Sequence, residues 1–117
     1  MSQKFTFNGV EKNFDIGSIA DNKRFEKAIR NMQEEEPKLP KTGYASDIMQ
    51  AQVNMIKKFF DTVFGEGAGN ELCGEEDNLN NCYEAYENFI IFVGNQKNTM
   101  LNKRRFGADR ISGKKRK

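Results

Sequence analysis

With 117 residues, 37% apolar and 31% charged, and a net charge of +2, the chain suits one modest domain and is too polar to bury every segment. It has no histidine, which removes the commonest general base and metal ligand, and its two cysteines are too few for a disulfide-stapled secreted scaffold. No apolar run reaches the roughly 18 residues of a membrane span, and the first ten residues lack the pattern of a signal peptide, so a cytoplasmic protein is expected.

The first element predicted is a β-hairpin over 4–16. Apolar and polar residues alternate on both sides of Asn8-Gly9, a dipeptide that tolerates the positive φ angles of a type I′ turn. Phe5, Phe7, Val10, Phe14 and Ile16 can then share burial against helices, which a lone hairpin needs to persist in water. A helix follows over about 22–36, with Asp21 as its expected N-cap and Phe25, Ala28, Ile29 and Met32 at helical spacing. It ends in Glu34-Glu35-Glu36 before Pro37, placing three carboxylates at the negative end of the helix dipole. Residues 37–43, with two prolines, read as a stiff linker.

The strongest helical pattern covers 46–64, where Ile48, Ala51, Met55, Ile56, Phe59, Phe60, Val63 and Phe64 form an apolar stripe that widens toward its end. Gly65 suits a helix C-cap, and the glycines up to Gly69 suit a tight reversal, with a short helical turn reaching Cys73. A third long helix is predicted over about 80–102, capped by Asn78, with Cys82, Tyr83, Tyr86, Phe89, Ile90, Val93 and Met100 on or near one face. Ile91 and Phe92 lie off that stripe and suggest a second surface to bury. The fold class expected is mainly α with an N-terminal β-hairpin (α+β), a three-helix body in a single domain over 1–101, and a basic flexible tail over 102–117.

Charge is unevenly placed. The tail holds Lys103, Arg104, Arg105, Arg110, Lys114, Lys115, Arg116 and Lys117 against the single acid Asp109, which leaves eleven basic and sixteen acidic residues over 1–101, a net of −5. The tail has no sustained apolar periodicity and is expected to be disordered without a partner. It can neutralise phosphates, but no recognition motif accompanies it and the body is acidic, so nucleic-acid binding is a secondary possibility.

Nothing in the sequence assembles a catalytic or metal site. Cys73 and Cys82 lack a histidine partner and read as small packing hydrophobes. The segment 65–69 follows a helix, whereas a phosphate-cradling loop follows a strand, and Glu75, Glu76 and Asp77 lack the spacing of a calcium loop. No enzyme activity, cofactor or metal is expected.

The hairpin Lys4 to Val10 leading to Phe14-Asp15-Ile16, the segment Phe25 to Ala28, the run Phe59-Phe60-Asp61-Thr62-Val63-Phe64-Gly65-Glu66-Gly67 and the stretch Tyr83 to Phe89 together carry a family likeness. Over roughly 4–100 the chain resembles tail assembly chaperones of long-tailed phages and prophages of Gram-positive bacteria. That resemblance implies a non-enzymatic protein of the host bacterial cytoplasm that self-associates and coats the helical, aggregation-prone tape measure protein, often with a longer frameshifted form. It further implies a partner-binding surface of Phe59, Phe60, Phe64, Tyr86, Phe89 and Phe92, which would take amphipathic helices in a groove. Two other readings stay open: a phage-encoded inhibitor or trigger of a bacterial defence system, motivated by the acidic body, and nucleic-acid binding through the tail.

Overall fold

The computed structural model describes residues 3–112. Two strands, β1 (Gln3–Phe7) and β2 (Val10–Phe14), form an antiparallel hairpin; helices α1 (Ile19–Glu35), α2 (Ala45–Phe64), α3 (Ala68–Cys73) and α4 (Leu79–Ser112) follow, with a 3-10 turn over Glu36–Lys38. The chain is therefore mainly helical with an N-terminal two-stranded hairpin, as its sequence predicts.

The hairpin turn has Asn8 at φ 56° and Gly9 at φ 74°, the paired positive angles that a two-residue turn requires. Its register pairs Phe7 with Val10 and Phe5 with Lys12, so Phe5, Phe7, Val10, Lys12 and Phe14 share one face. Phe5 and Phe14 are buried on that face, while Lys12 reaches out along it to an ion pair with Glu71. Two side chains fix the hairpin to the helices. Asn8 Nδ2 donates to the Leu72 carbonyl at 3.0 Å, and Gln96 of α4 donates to the Phe14 carbonyl and accepts from the Ile16 amide, both at 2.9 Å. Gln96 is buried, and these two bonds satisfy both ends of its amide.

Helix α1 begins earlier than the sequence suggests, and its N-cap is Ser18 instead of Asp21. Ser18 Oγ accepts from the Asp21 amide at 3.2 Å, and the Asp21 carboxylate turns back to accept from the Asp15 amide at 2.9 Å. Only the serine half of a capping box is formed, because the Ser18 amide donates to the Asp15 carbonyl at 2.9 Å and the Asp21 carboxylate reaches past it to Asp15. At the other end of the domain, Asn78 caps α4 as expected, accepting from the Asn81 amide at 3.1 Å. Gly65 closes α2 at φ 113°, its amide bonded to the Asp61 carbonyl at 2.8 Å.

The short helix α3 stands where a helical turn reaching Cys73 is expected, beside the three long helices. It backs directly onto α2: a Cβ placed on Gly69 would lie 2.4 Å from the Lys57 carbonyl oxygen, so only glycine permits the approach. Asp61 Oδ1 accepts from the Gly69 amide at 2.7 Å and holds the two helices in that contact.

Helix α4 departs most from expectation. It continues to Ser112, ten residues past the predicted end, where a disordered tail was expected from residue 102. The stretch 102–112 contains no proline and is rich in straight-chain and small helix formers, so nothing in it stops a helix already nucleated upstream. Lys103, Arg104, Arg105 and Arg110 therefore lie on a helix. Lys114, Lys115, Arg116 and Lys117 lie outside the described residues. At 1.5 Å per residue, 34 residues span about 51 Å, which accounts for most of the 61 Å long axis.

Candidate partner-binding surface

The six aromatic residues singled out in the sequence do not form an open surface. Phe59, Phe60 and Phe89 are fully buried, and Phe64, Tyr86 and Phe92 are half-buried against the same core. Phe89 sits at the centre, with the rings of Phe5, Phe14, Phe25, Phe59, Phe60, Phe64 and Phe92 all within 6.2 Å, most of them edge-on. Phe59 also meets Tyr86 edge-on at 5.1 Å. A domain this small, without tryptophan, takes most of its core area from these rings, and T-shaped packing adds to their burial. Their role as a docking face is therefore corrected: they hold α2, α4 and the hairpin together.

The surface left open lies at the other end of α2. Within its first eleven residues, 45–55, only Val53 is buried. Tyr44, the residue before the helix, is 81% exposed, and Met49 is 44% exposed. A groove of about 320 Å³ runs along one side of this half, between Met49, Gln50 and Val53 of α2 and Asp77, Asn78 and Leu79 at the start of α4. A second, of about 260 Å³, runs along the other side between Ala51 and Met55 of α2 and Glu35 at the end of α1 with Leu39 and Pro40 of the linker. The linker turns away after the 3-10 turn because Pro37 and Pro40 cannot continue a helix, and so it leaves this flank of α2 uncovered.

The rim of the first groove is charged in an ordered way. Asp77 accepts from Lys57 Nζ at 2.6 Å and from Gln50 Nε2 at 2.9 Å, and these bonds, the lysine first, hold its carboxyl below the usual carboxylate range. Gln50 also donates to Asn54 at 3.0 Å. The result is a slot with a methionine and a valine on one wall, a leucine on the other, and hydrogen-bonding groups along the rim. Such a slot suits an amphipathic helix or extended peptide, and methionine side chains adapt to varied apolar partners.

Sequence reasoning missed Tyr44, Met49, Leu39 and Met55 as candidate contacts. Of these only Met55 lies in the apolar stripe read from the sequence; Leu39 and Tyr44 precede α2 and Met49 lies off the stripe.

Cys73 and Cys82 are both free and fully buried. Burial, reinforced by a hydrogen bond to Cys82, pushes the Cys73 thiol far above its ordinary value, and burial likewise raises Cys82. Burial also raises the Tyr86 hydroxyl. These are the directions of packed neutral groups, opposite to that of an activated thiolate. Among the described residues no group of three or more cysteine, aspartate or glutamate side chains is placed to hold a metal ion, and no helix is long and apolar enough to cross a membrane.

No curated protein and no solved structure matches this chain. A family model does match, over residues 8–117, and the chain accordingly belongs to DUF6673, a family of unknown function.

Proposed function

We propose that this protein is a non-enzymatic, phage-encoded tail assembly chaperone that holds segments of the tape measure protein in the bacterial cytoplasm until the tail tube forms around it. The reading combines the pattern resemblance over 4–100 with one structural observation that carries it: the amino-terminal half of α2 lies open between two grooves, with Tyr44 and Met49 exposed at its edge. A helix of the partner laid along this half would bury the uncovered part of the α2 stripe, as helix-in-groove recognition requires. The buried phenylalanines serve this function indirectly, by keeping the grooves in shape.

The test is co-expression with helical fragments of a phage tape measure protein. The expected result is a soluble complex that is lost in a Tyr44→Ala, Met49→Glu variant whose thermal unfolding is unchanged. Absence of any complex, with no gain in fragment solubility, would remove the reading.

A further inference from the structure

The long helix α4 carries a second row of residues, distinct from the row it buries in its own domain. Its core row is Cys82, Ala85, Phe89, Val93 and Gln96. About 120° around the helix, at spacings of four and three, runs Tyr83, Glu87, Ile90, Gly94, Lys97 and Leu101, which is the repeat of a coiled-coil seam. Most of this row faces outward: Tyr83 and Leu101 are among the exposed large apolar residues, Glu87 and Lys97 are exposed, and a Cβ on Gly94 would meet nothing within 4 Å, while Ile90 is half-buried at the edge of the core. Ile91, beside the row, is 60% exposed.

We propose that a second copy of this chain docks on that row, its α4 antiparallel to the first, about a twofold axis at the level of Phe92. Reversing the row about residue 92 sets Tyr83 against Leu101, Glu87 against Lys97 and Ile90 against Gly94. Each layer is complementary: apolar on apolar, acid on base, large on small. A twofold contact requires this self-complementarity, because every residue meets its counterpart's partner twice. The parallel arrangement would instead place Glu87 on Glu87 and Lys97 on Lys97.

Charge along α4 selects the same orientation. Residues 79–96 contain Glu84 and Glu87 and no lysine or arginine, whereas 97–112 contain Lys97, Lys103, Arg104, Arg105 and Arg110 against Asp109. Antiparallel pairing lays the basic half of each helix along the acidic half of the other and covers residues 97–103, none of which is buried in the domain.

The experiment is sedimentation of the full chain across the micromolar range, with Glu87→Lys, Lys97→Glu and the double reversal. The expected result is a dimer whose dissociation constant rises roughly tenfold in each single reversal, since both symmetry-related pairs become repulsive, and returns near the original value in the double. Both side chains are exposed, so far-UV circular dichroism and thermal unfolding of the monomer should not change. A monomer at every concentration would overturn the proposal. So would a dimer indifferent to the single reversals, or a double reversal that stays dissociated.

Discussion

The two halves of α2 belong to one helix and one apolar stripe, yet they have opposite surroundings. Residues 56–64 bury Ile56, Phe59, Phe60 and Val63 against α1, α3 and α4, while 45–55 bury only Val53 and border two grooves. The cause is how the neighbours are tethered. At the carboxy-terminal end Arg24 of α1 donates to the Val63 carbonyl at 3.2 Å and Gly69 draws α3 against Lys57, whereas the prolines of the linker carry the chain away from the amino-terminal end. One half is committed to stability and the other remains free to bind.

Substitutions that strike the covered half should cost the most. Phe89→Ala removes the ring at the centre of seven others and should lower stability by roughly 3–5 kcal/mol in urea unfolding, enough to consume much of a small domain's total. Gly69→Ala drives a methyl into the Lys57 backbone, where no side chain can yield, and should cost about 3 kcal/mol. A loss below about 1 kcal/mol in either variant would mean that the two halves are less different than their burial implies.

In the open half, effects on stability should be small and effects on binding large. Met49→Glu places a charge on a residue that is 44% exposed, and should change unfolding by no more than about 0.5 kcal/mol while weakening capture of an amphipathic partner. Smaller still is the pH effect at the groove rim. Because Lys57 and Gln50 depress the Asp77 carboxyl, the contribution of these contacts is present at neutral pH and is lost as pH falls through the lowered folded value. Carbon-detected titration of that carboxyl should give a midpoint below that of a free aspartate, and Lys57→Ala should return it upward.

Much of the fold was legible because local signals agreed. Asn8-Gly9 between alternating residues specified the hairpin, Asn78 and Gly65 marked helix ends, and the stripes of α2 and α4 marked their buried faces. Two boundaries were not. Asp21 is a good capping residue in isolation, and only the position of Asp15 after the hairpin shows that its carboxylate is used elsewhere while Ser18 caps the helix. The end of α4 was set too early because loss of apolar periodicity marks where a helix stops being buried, which differs from where it stops. The exposure of the six aromatic residues was overestimated for a related reason. Aromatic content identifies residues worth burying, but whether the chain or a partner buries them depends on the long-range tethers Asn8 to Leu72 and Gln96 to Phe14, which leave no local trace in the sequence.

Hydrogen exchange on the full chain, alone and with a soluble tape measure fragment, tests the division of α2 most directly. The account expects added protection at the amides of 45–55 and in the linker beside them, with residues 56–64 already slow and unchanged. Added protection confined to the phenylalanine cluster, or none anywhere along α2, would contradict it.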